Sequence, residues 1–179
     1  MGKGKNIKSV AFVAILVFLV FYTLPFAMAS LDDVIYVPDD YERIQWAVDH
    51  ASAGDTIVVR DGIYYENVNV NKQLTLKSEN GPANCIVDAG YSGSAITLNA
   101  DGVTVEGFTV RKSRISWLNA GIKVYSSNNS ITGNNISSNN YYGILLYSSS
   151  NNSITGNNIS SNNDDGICLY YSHSEKFMQ

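Results

Sequence analysis

Across residues 96–172 apolar positions arrive in short alternating runs, with no stripe at helical spacing. The clearest runs are GIKVY from Gly121, GILLY from Gly143 and GICLY from Gly166. Between them stands the thirteen-letter string NNSITGNNISSNN, at residues 128–140 and again, 23 residues on, at 151–163. Alternation with a period of two is the mark of a half-buried strand. In GILLY, Ile144 and Leu146 are expected to point inward, with Leu145 and Tyr147 outward. In ITGNNI, Ile154 and Ile159 are the expected inward anchors. Weaker copies lie upstream. Ile96-Thr97-Leu98 matches Ile122-Lys123-Val124 at an offset of 26, and Val105, Gly107 and Val110 match Ile131, Gly133 and Ile136 at the same offset. Val68-Asn69-Val70 and Leu74-Thr75-Leu76 read as two strands of a still earlier coil.

A repeat of this length that contains only strands and turns predicts an all-β solenoid, a right-handed parallel β-helix with coils of about 22–26 residues spanning 57–172. Leucine-rich repeats share the period, but they need more leucines and a helical return. One coil cannot bury its own apolar face, whereas stacked coils can. Stacking also places identical side chains in columns. Asn134 with Asn157, and Asn135 with Asn158, are therefore expected to form structural amide ladders. Gly121, Gly143 and Gly166 are expected to supply positive φ at a corner. The fixed phase of Ile and Leu argues against a disordered Asn/Ser tract.

The flanks are different. Ile44, Ala47, Val48 and Ala51 fall on one face at i, i+3, i+4, i+7 spacing, so residues 30–56 are expected to hold a short amphipathic helix capping the core, started by Asp39 or Asp40. Ahead of it, Lys3, Lys5 and Lys8 precede the apolar run from Val10 to Leu24, and Pro25 and Ala27-Met28-Ala29 follow. That is the layout of a secretory signal peptide over residues 1–29, cut after Ala29. The segment touches a membrane only if it stays uncleaved. Residues 173–179 are expected to be irregular. The solenoid breaks off there, as in a truncated product or fragment, and an open end invites end-to-end self-association.

IQWAVDHASAGDTIVVRDGIYYENVNVNKQLTLKSEN, from Ile44 to Asn80, resembles the opening of many parallel β-helix proteins, the pectin methylesterase-like and pectate lyase-like chains among them. ITGNNISSNNYYGILLYSSSNNSITGNNISSNNDDGICLYYS resembles the β-helix repeats of the NosD type, found in exported and surface proteins. The likeness runs from Val34 to Ser172 and implies the fold far more sharply than the function. It implies a secreted or cell-surface location and three roles: a structural or glycan-binding β-helix, a polysaccharide-modifying enzyme or remnant of one, and a NosD-type copper-handling accessory protein.

Charge and chemistry separate these roles. With the leader removed, nine basic residues face 16 acidic ones, which argues against nucleic acid and anionic membranes as partners. Copper calls for clustered His, Met or Cys. Here His50, His173, Met178, Cys85 and Cys168 are scattered, so no metal and no cofactor is expected, and the two cysteines are expected to be free thiols. Catalysis would need paired carboxylates, or a calcium cage beside a basic residue. The candidates are Asp88, Asp101, Glu106, Arg111, Lys112, Arg114, Asp164 and Asp165. Asp101 and Asp164-Asp165 read equally well as turn residues, and Arg111, Lys112 and Arg114 as a solvated loop cluster. No catalytic residue is therefore expected. Tyr125, Tyr147 and Tyr170 share one repeat position, so an outward column of rings is expected. It can hold a glycan or stack on itself, and Tyr141 and Tyr142 lie beside it. Four N-x-S sequons, at Asn128, Asn135, Asn151 and Asn158, complete the inventory.

Overall fold

The computed structural model describes residues 32–178, so the expected signal peptide lies outside the described residues. The strands, numbered in chain order, form three parallel sheets. The first holds β1 (Val34–Val37), β2 (Thr56–Val59), β5 (Thr75–Ser78), β8 (Thr104–Glu106), β11 (Ser130–Thr132), β14 (Ser153–Thr155) and β17 (Lys176–Met178). The second holds β3 (Gly62–Tyr65), β6 (Cys85–Asp88), β9 (Thr109–Arg111), β12 (Asn135–Ser137) and β15 (Asn158–Ser160). The third holds β4 (Val68–Val70), β7 (Ile96–Leu98), β10 (Ala120–Val124), β13 (Tyr142–Tyr147) and β16 (Ile167–Tyr170). Each coil visits the sheets in that order, which makes the parallel β-helix that the repeat predicts. Coil length varies more widely than the copies suggest: Arg60 lies 19 residues before its neighbour Glu79, while Ser78 lies 29 before Gly107.

Register aligns the inward residues into columns. On the first sheet the column runs Ile57, Leu76, Val105, Ile131, Ile154. On the third it runs Val68, Ile96, Ile122, Ile144, Ile167, with Val70, Leu98, Val124 and Leu146 beside it. These side chains are buried as far as Ile154, and each stabilises the fold by about 1.5–3 kcal/mol relative to an exposed position. Past Ile154 the column thins. Ile159 and Ile167 are half-buried, Phe177 and Met178 are exposed, and together they line a cavity of about 380 Å³. Residues 173–178 are less irregular than expected, because β17 pairs with β14.

At the other end β1 pairs with β2, so the first sheet starts before the expected cap. The helix α1 (Ile44–His50) buries Ile44, Ala47 and Val48 as its spacing predicts. Its start is not capped by Asp39 or Asp40. Arg43 holds the cap position without a side-chain bond, and the Glu66 carboxylate accepts the N–H groups of Ile44 and Gln45, both at 3.0 Å. Asp39 instead pairs with Arg60, and Asp40 accepts the Tyr36 N–H. A carboxylate from the next coil thus pins the cap to the solenoid while satisfying two N–H groups that every helix start leaves open.

The corners hold the coils together. In the repeat coils the corners carry a residue in the left-handed region followed by an inward residue that is buried or half-buried. Gly133 and Gly156 precede Asn134 and Asn157, Ser138 and Ser161 precede Asn139 and Asn162, and Asn128 and Asn151 precede Asn129 and Asn152. The Asn134 N–H and Nδ2 both donate to Asn157 Oδ1, at 2.9 and 3.0 Å, while Asn134 Oδ1 accepts the Phe108 N–H from the coil before. Asn139 with Asn162 and Asn129 with Asn152 repeat the arrangement. The ladder at Asn134 and Asn157 lies where the repeat places it. Asn135 and Asn158 are register partners on β12 and β15, but among the described residues their side chains share no hydrogen bond. Their strand parity turns them outward, and the other two ladders occupy corners that the repeat reading does not single out.

The glycines also act differently from expectation. Gly121, Gly143 and Gly166 do not adopt positive φ. A Cβ at Gly143 would stand 2.5 Å from Gly166 O and 2.7 Å from Asn162 Nδ2, and one at Gly121 2.6 Å from Asn139 Nδ2. Gly121 and Gly143 are glycine because the ladder passes too close for a side chain, whereas a Cβ at Gly166 would meet only Ile159, at 3.3 Å.

Replacing Asn134 by Ala is expected to cost about 3 kcal/mol, because it strands the buried Phe108 N–H and removes bonds to Asn157. Asn135→Ala is expected to stay within about 0.5 kcal/mol. Urea denaturation of the two variants side by side measures the difference.

Candidate functional site

Tyr125, Tyr147 and Tyr170 come together as one column on the outer face of the third sheet, because Tyr147 pairs in register with Tyr170 and Tyr125 directly follows β10. Their rings touch one another. Tyr125 meets Tyr147 edge-on at 5.6 Å, and Tyr147 stacks on Tyr170 at 5.0 Å with 18° between planes. Such pairs stabilise by about 0.5–1.5 kcal/mol beyond the area they bury. The inner ring faces are therefore occupied by other rings, and Tyr147 is half-buried.

Open faces lie at the two ends of the column. At one end Tyr171, 77% exposed, meets Tyr170 edge-on at 4.5 Å. Its left-handed backbone turns its ring back toward the column. Trp117, 54% exposed, lies 6.3 Å from Tyr170. At the other end the Lys123 ammonium sits 5.0 Å from the Tyr125 ring centroid, and burial lowers its pKa. Trp117 leaves the chain just before β10, yet its ring reaches Tyr170 on β16. Leu145 faces outward by parity but is almost wholly buried, in register between Lys123 and Cys168.

Trp117, Tyr171 and Lys123 are the members of this surface that sequence reasoning missed. Tyr171 and Lys123 adjoin the repeat tyrosines, so adjacency could have flagged them. No repeat or spacing signals that the Trp117 ring lies beside Tyr170. Tyr141 and Tyr142 pair with each other at 4.5 Å, at the start of β13 rather than at its tyrosine end. Burial and a hydrogen bond with the Cys168 thiol raise the pKa of Tyr142.

Four of the charged candidates, Asp88, Arg111, Lys112 and Asp101, have structural partners, while Arg114, Glu106, Asp164 and Asp165 are exposed. Asp88, fully buried, accepts Arg111 Nε at 2.8 Å and Lys112 Nζ at 2.9 Å on Oδ2, and the Gly90 N–H at 3.0 Å on Oδ1. Burial by itself would push this carboxyl up. The bonds from Lys112, Gly90 and Arg111 outweigh it and hold the group below the ordinary carboxylate range. Arg111 ends β9 and Lys112 turns the next corner, so these two are not the solvated loop cluster the sequence suggests. The Arg114 N–H bonds to Gly93 O. Asp101 accepts the Ser127 N–H at 2.7 Å as a turn residue. Asp164 and Asp165 stand in the turn before β16, and Glu106 is exposed at the end of β8.

Both cysteines are free. Cys85 is buried, and burial pushes its thiol up to about 12, so it stays protonated and unreactive at neutral pH. His50 stacks on Tyr41 in the cap, with Nδ1 2.8 Å from the Trp46 carbonyl, while His173 belongs to the last coil. Among the described residues no three His, Cys, Asp or Glu side chains converge as metal ligands.

Comparison with known proteins adds two findings. Residues 48–179 match the family described as periplasmic copper-binding protein (NosD). A cell surface glycoprotein of Methanothermus fervidus is 42% identical over 109 residues, covering 58% of this chain and 18% of the relative. The chain thus spans about a fifth of the length of the curated relative it matches. No solved structure matches. The side chains on this solenoid do not fit the copper site that the family's description implies, since its soft donors are dispersed or buried.

Asp88 supplies a pH test. Its folded pKa is depressed, so its contribution is complete at neutral pH and is lost as pH falls through the ordinary carboxylate range toward the folded value. Asp88→Asn is expected to lower stability by about 2 kcal/mol at pH 7, and by progressively less below about pH 4. Thermal melts of both proteins across pH 2.5–7 check the convergence.

Proposed function

Because the chain belongs to the NosD family of parallel β-helix proteins, we propose that it serves as a non-catalytic structural module at the outer surface of the cell. One observation carries this reading: the buried polar side chains of the corners and Asp88 are committed to neighbouring coils. Three asparagine ladders run along the axis, the carboxylate of Asp88 is closed by two cations, and the tyrosines stack on one another. A solenoid built this way resists deformation along its length, as a load-bearing envelope element requires. The expected export signal and the surface relative support the location.

A second role is favoured by the ends of the tyrosine column. Trp117 and Tyr171 offer open ring faces there, with polar tips, and the Lys123 ammonium stands by the far ring. Rings of this kind suit the flat apolar faces of sugars, so the surface is proposed to hold polysaccharide of the envelope.

Protease shaving of intact cells, read with an antibody to residues 32–178, tests the location. Loss of signal is expected, and protection until lysis would sink it. For the glycan contact, native gels containing neutral or acidic polysaccharides are the measurement. Retardation is expected for the native chain and is expected to weaken at least fivefold in a Trp117→Ala, Tyr171→Ala double variant. Tyr147→Ala is expected to lower thermal stability without abolishing retardation. A folded chain that no polysaccharide retards leaves the structural role alone.

A further inference from the structure

The four N-x-S sequons fall into two structural classes. Asn135 and Asn158 lie within strands β12 and β15. Asn135 has Thr109 on one side and Asn158 on the other, and both asparagines line a shallow groove with Pro82 and Ala83. Asn128 and Asn151 make the corner between the third and first sheets. Both are exposed, with φ of 59° and 57°.

At this corner the two asparagines of each Asn-Asn-Ser triplet have divided roles. The second, Asn129 or Asn152, turns inward, is buried, and belongs to a ladder. The first turns outward. Among the described residues the side chains of Asn128 and Asn151 make no hydrogen bond. Their backbone N–H groups are satisfied by Ser150 O and His173 O. The outward residue is also the one with Ser at the required second position, Ser130 or Ser153. Neither serine hydroxyl has a hydrogen-bond partner among the described residues. The corner thus offers a free carboxamide and a free hydroxyl on a projecting turn, which a transferase can approach from outside the sheets.

We propose that Asn128 and Asn151 are acceptors for N-linked glycans, and that the strand sequons at Asn135 and Asn158 are not. The reaction joins Nδ2 to the anomeric carbon of an oligosaccharide carried on a polyprenyl phosphate or pyrophosphate. The bond from that carbon to the phosphate oxygen breaks, Nδ2 gives up one proton, and the lipid phosphate leaves. A glycan at the corner extends into solvent and leaves all three ladders intact, whereas Asn135 and Asn158 are held in extended strands, Asn135 half-buried between Thr109 and Asn158. The two acceptors stand at the same corner of neighbouring coils, roughly 4.8 Å apart, so a glycan on one crowds the other. The inference rests on the surface location proposed above, since the lipid-linked donor is met on the export route.

Glycopeptide mass mapping of the chain purified from the cells that encode it is the test, beside cell fractionation of the same sample. The expected result is sugar mass on Asn128, on Asn151, or divided between them. Ser130→Ala removes one sequon and keeps its corner asparagine. It is expected to abolish modification of Asn128 and to raise occupancy of Asn151, while Ser130→Ala with Ser153→Ala yields an unmodified, folded chain. Surface-exposed chain that carries no sugar at either corner, or sugar on Asn135 or Asn158, overturns this inference and leaves the surface role standing. Unmodified chain confined to the cytoplasm overturns both.

Discussion

The asparagine carboxamide at a left-handed corner is the interaction on which the rest of this fold depends. A coil that turns three times exposes backbone N–H and C=O groups to the interior at every turn, where no water can meet them. Asparagine resolves this because its amide carries a donor and an acceptor on one short arm. Asn134 takes the Phe108 N–H from the preceding coil and gives its own Nδ2 to Asn157, Val105 O and Thr132 O. The bonds run along the solenoid axis, so each coil fixes the register of the next. Where the asparagine series stops, other groups take over its acceptor role: Glu175 accepts both the N–H and Nδ2 of Asn152.

This constraint explains features that look unrelated. Gly121 and Gly143 are glycine because ladder amides pass where a Cβ would stand. The first residue of these corner doublets is Gly, Ser or Asn in the repeat coils and Lys112 in the coil before them, in each case in the left-handed region. The apolar columns then need only to be in phase, which Ile, Val and Leu of similar volume readily achieve.

Most of this fold was legible in the sequence because a solenoid turns three-dimensional neighbours into a fixed sequence offset. Ile131 and Ile154 are in contact because they are one period apart, and the helix over Ile44–His50 showed its apolar spacing directly. Finer assignments failed where two adjacent asparagines had to be told apart. Asn134 and Asn135 are both repeated, and only corner geometry says that the first turns inward and the second does not. Arg111 and Lys112 looked like loop charges because their partner, Asp88, is a full coil away and shares no repeat position with them. Trp117 was illegible for a similar reason: its segment occurs once, so no offset links it to Tyr170.

A fold that spends its amides on its own axis has consequences for what it can do. Chemistry needs a side chain whose hydrogen-bonding capacity is left over, and the inner positions of this solenoid leave little. What remains is outward. Strand parity places one set of side chains on the sheet faces, and the corners place another beyond them. On the third sheet the outward set includes tyrosines, which satisfy each other and leave free faces only at the ends of their column. At the corner between the third and first sheets, the outward Asn128 and Asn151 hold the left-handed backbone while their side chains make no hydrogen bond among the described residues. Asn128 and Asn129 are adjacent in sequence and identical in chemistry, yet one is available to solvent and the other is not. That division follows from the corner itself. Function on this scaffold therefore collects at the turn residues and the sheet faces, while the columns behind them set only how far apart those residues stand.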